Sequence, residues 1–168
     1  MSEIRLAAPS DFAAIHAVEI SAGILFAGTH MDWAVGETTN KAVLADAVAN
    51  GLLWVAEEQE KVQGFLLAEV LGKHFLIGEV AVDQRFRGQR IGAALIEMAC
   101  FEAEQRGYEL ITLTTDRTLA WNAPQYTRLG FQIVDAAHLP EDLATLAARE
   151  RNPLLRCVMQ RQINRDKR

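Results

Sequence analysis

The segment from Val80 to Ile96 constrains the fold of this chain more than any other. It reads Val-Ala-Val-Asp-Gln-Arg-Phe-Arg-Gly-Gln-Arg-Ile-Gly-Ala-Ala-Leu-Ile, so a β-branched strand passes through an arginine and glycine loop directly into an amphipathic helix. The first N–H groups of a helix have no partner within the helix, and the helix dipole is positive at this end. The segment therefore predicts a phosphate-binding loop, in which Gly88 and Gly92 let the backbone approach the anion.

A second informative segment is Trp-Asn-Ala-Pro-Gln-Tyr-Thr-Arg-Leu-Gly-Phe, residues 121–131. Asn122 is a favourable N-cap with Gln125 three residues later, and Pro124 suits the first turn of a helix. Gly130 suits the left-handed residue that follows a helix. The segment predicts a short helix that ends just before Gly130.

The two segments resemble motifs A and B of the GNAT superfamily of N-acetyltransferases. Motif A, written Arg/Gln-x-x-Gly-x-Gly/Ala, matches residues 87–92, except that Arg90 replaces the middle glycine. This departure implies that the position accepts a Cβ and that the guanidinium reaches toward a phosphate. Motif B is a short helix ending in Tyr-x-x-x-Gly-Phe, and Tyr126, Gly130 and Phe131 fall in that register. The motifs and the strands between them cover residues 74–135.

Periodicity along the chain predicts a mixed α/β protein. The intervening helix makes strands 74–83 and 108–115 parallel neighbours, whereas the three strands up to residue 83 form an antiparallel meander. The resemblance implies a GNAT fold: a mixed sheet of about six to seven strands flanked by helices, with a splay between the fourth and fifth strands. The predicted strands are 4–7, 52–57, 62–71, 74–83, 108–115, 131–134 and 154–160, and the predicted helices are 9–22, 40–50, 91–106, 122–129 and 140–150.

Length and composition predict one globular domain. At 168 residues, with 50% hydrophobic residues, 23% charged residues and a net charge of -5, the chain resembles neither a disordered protein nor a nucleic-acid-binding protein. We assign residues 1–160 to the domain and residues 161–168, with four basic residues and one acidic residue, to a C-terminal tail. A solvated terminus is the expected role of this tail, and contact with an anionic partner is the alternative.

The sequence also predicts where the protein works. The first residues do not form a signal peptide, and no apolar run is long enough to span a bilayer, so we expect a cytoplasmic protein without a membrane partner. Cys100 and Cys157 are isolated, which indicates reduced, buried thiols. His16, His74 and His138 have no metal-ligand spacing, so we expect no metal. The sequence does not determine the oligomeric state, and both a homodimer and a monomer are compatible with it.

The resemblance implies that the protein uses acetyl-CoA. The backbone of Ala81 and Val82 is expected to bind the pantetheine arm, while their strand also contributes to the core. Asn122 is expected to contact the coenzyme in addition to its role as a cap. The pyrophosphate is expected to bind at Arg87, Gly88, Gln89, Arg90, Ile91, Gly92 and Ala93.

Two residues are candidates for proton transfer. Tyr126 matches the family tyrosine that donates a proton to the coenzyme A sulfur, although it could instead only pack its helix on the sheet. Glu79 is an acid in an otherwise apolar strand, where burial would raise its pKa and suit it to be the general base. The alternative for Glu79 is a structural ion pair with Arg5 or Arg156.

Recognition of the acceptor is expected near the first helix. Glu19, His30, Asp32 and Trp33 combine carboxylates with aromatic rings, which suits a cationic amine. Each of them could equally be a surface or packing residue. Residues 21–39 show no readable motif, so the sequence does not identify the acceptor.

The favoured function is direct acetyl transfer, in a ternary complex, from acetyl-CoA to a primary amine of a small molecule or peptide. A non-catalytic acyl-CoA sensor or partner subunit would keep motif A and lose the acceptor site. An enzyme with a longer acyl donor is a further alternative, because pocket depth is not visible in a sequence.

Overall fold

A computed structural model of the chain describes residues 1–163. Short 3₁₀ turns join several of its elements. Within residues 1–163 the strands are β1 (Glu3–Leu6), β2 (Leu53–Glu58), β3 (Lys61–Leu71), β4 (His74–Val82), β5 (Leu110–Asp116), β6 (Gln132–Ile133) and β7 (Arg156–Gln162), and the α-helices are α1 (Phe12–Gly23), α2 (Lys41–Ala49), α3 (Ile91–Gln105), α4 (Ala123–Arg128) and α5 (Glu141–Ala148).

The strands form a mixed sheet in the order β1-β2-β3-β4-β5-β7-β6. β4 and β5 are parallel, and Phe75 lies opposite Ile111. Parallel neighbours need a long crossover connection, which α3 provides between them. The predicted mixed α/β fold and its parallel strand pair are therefore confirmed. The predicted splay between the ends of β4 and β5 stays a prediction.

The chain divides into two compact units. The first unit comprises Met1–Glu69 and Glu79–Ala99. In it, β1, β2 and β3 pair antiparallel, with a register shift between Ala56 and Glu57. Its fully buried side chains include Ile15, Leu44, Leu53, Phe65, Leu66 and Leu95.

The second unit comprises Val70–Gly78 and the chain from Cys100 onward. β7 pairs antiparallel with both β5 and β6. Leu143 on α5 packs with Leu76 and Val158, so this helix covers one face of these strands. The prediction of one domain over residues 1–160 stays a prediction.

Two details differ from the sequence-based expectations. The apolar spacing of α2 predicts a packed side with Val43, Leu44 and Val48, but Val43 is 43% exposed, and Leu44 and Ala47 are the buried residues of this helix. Leu44 and Ala47 are three positions apart and therefore lie on one face of the helix. At the C-terminus, Arg161 and Gln162 of the predicted tail belong to β7, and residues 164–168 of that tail lie outside the described residues.

The start of α2 is stabilised by a side-chain cap. Asn40 Oδ1 accepts a hydrogen bond from the Ala42 N–H at 2.7 Å. The cap satisfies one of the N–H groups that a helix leaves without a partner. Thr39 is the residue just before this cap.

Replacing Asn40 with alanine should destabilise the first unit by about 1 kcal/mol, because the cap is lost while the helix stays. Asn40→Asp should retain most of the stability, since its carboxylate can accept the same bond. Urea unfolding followed by circular dichroism measures both variants. Equal unfolding midpoints for the two would contradict the role of the cap.

Candidate functional site

The loop between β4 and α3 begins at a buried carboxylate. Asp83 is 4% exposed, and its Oδ1 accepts hydrogen bonds from the Arg85 N–H at 2.9 Å and from the Ser21 hydroxyl at 3.1 Å. The Ser21 hydroxyl in turn accepts from the Gln84 N–H at 3.0 Å. The Arg85 guanidinium lowers the pKa of Asp83 through its hydrogen bonds. These contacts connect the end of β4 to α1.

The loop then enters α3 through two residues with left-handed backbone. Gly88 has φ +81° and Arg90 has φ +61°. The Arg90 carbonyl accepts the Ala94 N–H at 3.1 Å, so the N–H groups of the first turn point out of the helix without an intrahelical acceptor. A non-glycine residue in this backbone region costs roughly 1–2 kcal/mol. Arg90 thus occupies a conformation that glycine would adopt with less strain.

Ala81, in the last part of β4, lies close to β3. A Cβ added to Gly64 would meet the Ala81 carbonyl oxygen at 2.9 Å and the Ile91 side chain at 3.2 Å. A Cβ on Gly92 would lie 3.7 Å from Val82, which is ordinary contact. Gly64 therefore permits the close backbone approach of β3 to β4, next to the start of α3.

Two carboxyl groups meet beside β4. Glu19 on α1 is 5% exposed, and its Oε1 and Oε2 accept the Thr39 N–H at 2.9 and 3.1 Å. The Thr39 hydroxyl contacts Glu19 Oε1 and lies 3.0 Å from Glu79 Oε2. Thr39 thus bridges α1 and β4.

The backbone of Thr39 is held from a second side. His16 Nε2 lies 2.9 Å from the Thr39 carbonyl oxygen. A carbonyl oxygen only accepts hydrogen bonds, so Nε2 carries the proton and donates it. Both the N–H and the carbonyl of Thr39 are therefore bound by side chains of α1.

This environment changes the acidity of Glu79. Burial raises the pKa of Glu79 to about 8, and the charge of Glu19 and a hydrogen bond between the two carboxyl groups act in the same direction. The Thr39 hydroxyl acts in the opposite direction. A carboxyl group with a pKa near neutrality can both accept and release a proton under ordinary conditions.

The arginines proposed as structural partners of Glu79 bind other carboxylates. The Arg5 guanidinium binds Asp11 at 2.9 Å and also contacts Glu57. Arg156 lies 3.6 Å from Glu150. The alternative role of Glu79, a structural ion pair, requires Arg5 or Arg156 as its partner. In the structure the charged neighbour of Glu79 is instead the carboxyl group of Glu19.

The other candidates for acceptor recognition lie in the exposed segment after α1. His30 is exposed, and Trp33, in the 3₁₀ turn Asp32–Ala34, is 38% exposed. Asp32 Oδ1 accepts the Gly28 N–H at 2.9 Å, which shapes the loop. Among the residues predicted to recognise the acceptor, Glu19 is the one that the described contacts place next to Glu79.

In the second unit, Tyr126 lies on α4 and is half-buried. Its ring meets the ring of buried Phe131 edge to face, with 5.9 Å between the centroids. The Tyr126 carbonyl accepts the Phe131 N–H at 3.1 Å, and Gly130 has φ +91°. The predicted helix end at Gly130 is confirmed.

Asn122 departs from its predicted role as a side-chain cap. Its side chain makes no capping bond to α4, and its Nδ2 donates to Thr115 Oγ1 on β5 at 3.0 Å. The backbone of Asn122, with ψ -116°, lacks the extended conformation that capping side chains require. Among the described residues, Oδ1 of Asn122 is buried without a hydrogen-bond partner. Such an atom is suited to a ligand N–H.

Thr39 and His16 take part in the contact between Glu19 and Glu79, although the sequence did not predict a role for either residue there. Thr39 precedes an N-cap and His16 lies in the middle of a helix, so no local pattern distinguishes either. The separations of 20 and 40 residues that join Thr39 to Glu19 and Glu79 depend on tertiary packing.

The described residues also bear on metal binding, on the state of the two cysteines and on membrane insertion. Within residues 1–163, no group of three or more His, Cys, Asp or Glu side chains is placed to hold a metal ion. Cys100 and Cys157 are buried thiols outside any disulfide, and burial raises the pKa of Cys157. None of the helices that the structure describes combines the length and apolarity needed to cross a bilayer.

Comparison with known families gives a match over half of the chain. Residues 49–133 match the family described as acetyltransferase (GNAT) domain. The match runs from the end of α2 to β6. It includes Glu79, the loop before α3 and Tyr126, and it leaves Glu19 and Thr39 outside.

Solved structures share the fold at low sequence identity. N-acetylglutamate synthase from Neisseria gonorrhoeae, complexed with coenzyme A and N-acetyl-glutamate, is 16% identical with a TM-score of 0.76 and aligns with 98% of this chain. This chain spans only 36% of that synthase. The PaiA N-acetyltransferase from Thermoplasma acidophilum, in complex with coenzyme A, is 16% identical over 96% of this chain and 99% of its own, with a TM-score of 0.74. The ribosomal-protein-S18-alanine N-acetyltransferase from Escherichia coli is 19% identical over 98% of this chain and 95% of its own, with a TM-score of 0.68.

Glu79→Gln should become increasingly stabilising, relative to the unchanged protein, as the pH rises from 4.5 to about 8. The folded state of the unchanged protein holds the Glu79 proton over this range while the unfolded chain releases it, so its stability falls with rising pH. Urea unfolding at several pH values measures the difference. Glu69→Gln, at an exposed position on β3, is the control. If Glu79→Gln changed the free energy of unfolding by the same amount at every pH, the raised pKa of Glu79 would be contradicted.

Gly64→Ala should lower the free energy of unfolding by about 1–3 kcal/mol, because its Cβ would collide with the Ala81 backbone. Gly92→Ala is the matched control and should fold with nearly unchanged stability, since its Cβ meets Val82 at an ordinary distance. Thermal denaturation measures both. A smaller loss for Gly64→Ala than for Gly92→Ala would show that the close approach is unimportant.

Proposed function

Since the chain belongs to the GNAT acetyltransferase family, we propose that it transfers an acetyl group from acetyl-CoA to a primary amine of a small molecule or peptide. The observation that carries the proposal is the placement of Glu79 on β4, the strand that leads into the loop before α3, in contact with Thr39 and next to Glu19. Direct transfer needs a group that removes a proton from an ammonium. With its pKa raised to about 8, Glu79 is suited to this task.

The proposed coenzyme contacts lie on the loop and on motif B. Ala81 and Val82 would contact the pantetheine arm through their backbone. Arg87, which is exposed, and the N–H groups at the start of α3 would bind the pyrophosphate. The buried, unpartnered Oδ1 of Asn122 supports an additional contact to an amide N–H of the coenzyme. Acetyl-CoA, when bound, supplies the acetyl thioester.

Gln89, Arg90, Ile91, Gly92 and Ala93 complete the proposed loop contacts. Arg90 keeps a strained backbone and an exposed side chain, so its guanidinium can approach a phosphate without displacing core residues. Gly88 has the same left-handed backbone region without the strain. The replacement of the family glycine by Arg90 therefore adds a positive charge where the coenzyme carries negative charge.

Each proton in the proposed reaction has an assigned residue. The Glu79 carboxylate removes a proton from the acceptor ammonium, which leaves a lone pair on the nitrogen for attack on the acetyl carbonyl carbon. Tyr126 donates its phenolic proton to the sulfur as the C–S bond breaks, and the second proton that the nitrogen loses on becoming an amide restores the Tyr126 phenol. The assignment of Tyr126 rests on its position in motif B.

The proposed acceptor is a cationic amine. Glu19 contributes buried negative charge next to Glu79, which favours an ammonium over a neutral or anionic group. Trp33 and His30 lie on the exposed segment that follows the same helix, where an aromatic face can contact a cation. An acidic substrate would meet repulsion from the Glu19 carboxylate.

The test is release of free coenzyme A thiol from acetyl-CoA in the presence of polyamines, aminoglycosides, arylamines, amino acids and peptide N-termini. Release with one cationic class, and a loss of about 100-fold or more in turnover for Tyr126→Phe with unchanged coenzyme affinity, is the expected result. The phenyl ring of this variant would keep the contact with Phe131, so unchanged stability is the control. Tight binding of acetyl-CoA without release on any acceptor would contradict the proposal and support a sensor.

A further inference from the structure

The reaction proposed above leaves one arrangement beside Glu79 unexplained. It gives Thr39 no role, and it uses Glu19 only to favour the charge of the acceptor. Both residues lie outside the segment that matches the family, and their contacts with Glu79 join three separate parts of the first unit. A buried carboxylate pair is costly unless hydrogen bonds and shared protons compensate the repulsion. The arrangement therefore requires a physical explanation.

The explanation lies in the number of protons on Thr39. Its hydroxyl contacts Glu19 Oε1 and Glu79 Oε2, but a hydroxyl has one proton to donate. If it donates to Glu19, it cannot stabilise a Glu79 carboxylate, and Glu79 keeps its proton in the hydrogen bond between the two carboxyl groups. If it donates to Glu79, that carboxylate is stabilised without a proton. The two hydroxyl orientations thus favour opposite protonation states of Glu79.

The backbone of Thr39 decides which orientation the protein favours at rest. Both oxygens of Glu19 accept the N–H of Thr39, and the Thr39 carbonyl is fixed by His16. This geometry holds Thr39 against Glu19 and directs its hydroxyl toward the same carboxylate. Glu79 is then left as the carboxyl group that holds the proton.

We propose that Glu19 and Thr39 are positioning residues that set when Glu79 can accept a proton from the acceptor, Glu19 through its charge and Thr39 through its single hydroxyl proton. The inference rests on the proposed function, because it concerns the proton acceptor of that reaction. It predicts opposite effects: loss of the Glu19 charge makes Glu79 a weaker proton acceptor, and loss of the Thr39 hydroxyl makes it a stronger one.

The proton balance of the step is simple. The N–H bond of the acceptor ammonium breaks, an O–H bond forms at Glu79, and the electron pair of the N–H bond stays on the nitrogen. As Glu79 becomes protonated, the Thr39 hydroxyl turns from Glu79 to Glu19. No further reactant is required.

Other titratable groups near this arrangement have partners of their own. On α1, His16 faces the Thr39 carbonyl through Nε2. At the end of β4, Asp83 is paired with Arg85 at 2.8 Å. Glu19 is thus the carboxylate with a direct influence on Glu79, as the causes of its raised pKa also indicate.

The experiment measures the dependence of kcat/KM on pH for the unchanged protein and for Glu19→Gln, Thr39→Val, Thr39→Ser and Glu79→Gln, with acetyl-CoA and the amine that gives thiol release. The acidic limb should lie near pH 8 in the unchanged protein. It should move about one unit lower in Glu19→Gln and about half a unit higher in Thr39→Val, with Thr39→Ser unchanged. At pH 7 the Glu19→Gln shift corresponds to about a fivefold larger active fraction.

A second readout does not depend on activity. Titration of the Glu79 carboxyl by ¹³C NMR of glutamate-labelled protein should show the same two opposite shifts, with the Glu79 signal assigned by its loss in Glu79→Gln. Asp46→Asn, an exposed charge removal on α2, is the matched control for Glu19→Gln and should move neither readout. Thr39→Val loses the hydroxyl and Thr39→Ser keeps it, so this pair tests the inference even if Glu19→Gln does not fold.

The possible outcomes distinguish a failure of the proposed function from a failure of the inference about Glu19 and Thr39. An acidic limb that persists in Glu79→Gln contradicts Glu79 as the proton acceptor of the proposed function. A limb that disappears in Glu79→Gln but stays in place in Glu19→Gln and Thr39→Val, together with an unmoved Glu79 carboxyl signal, overturns the inference and leaves the proposed function intact. A loss of turnover without any shift shows that the two residues are merely structural, and it also overturns the inference.

Discussion

The contact of Glu19 and Glu79 through Thr39 is the constraint on which the organisation of the first unit depends. Two carboxyl groups in one buried place repel each other and lose hydration, so the arrangement is stable only with a shared proton and with donors aimed at the oxygens. Thr39 supplies those donors from its backbone N–H and its hydroxyl. For this it must stand between α1 and β4, and His16 and the cap at Asn40 hold it there.

The same strand carries two kinds of chemistry. Glu79 lies in β4, Ala81 follows two residues later and Gly64 on β3 gives the Ala81 backbone the room to approach. Side chains two positions apart on a strand share one face of the sheet, whereas the backbone N–H and C=O groups point sideways within the sheet. The Glu79 side chain, as the proposed proton acceptor, and the Ala81 backbone, as the proposed contact to the pantetheine arm, can therefore occupy nearby positions of one strand without competing for space.

The loop after β4 shows how a family motif tolerates a change. Arg90 occupies the position of a glycine and retains the left-handed backbone that glycine would favour. The surrounding loop determines this conformation, since Gly88 turns the chain and the Arg90 carbonyl begins the hydrogen bonding of α3. The strain of this conformation costs roughly 1–2 kcal/mol, and the arginine adds a positive charge to an exposed surface near a helix N-terminus.

The sequence by itself determined the elements and the family. Periodicity located α1, α3 and the strands to within a few residues, and the helix between β4 and β5 required them to be parallel, because such patterns depend on neighbours three or four positions apart. The tertiary structure decided the rest. It turned the Asn122 side chain from the helix to Thr115, and it joined Glu19, Thr39 and Glu79 across separations of 20 and 40 residues. No local pattern encodes such contacts, since they arise only when packing brings distant segments together and sets the orientation of each polar side chain.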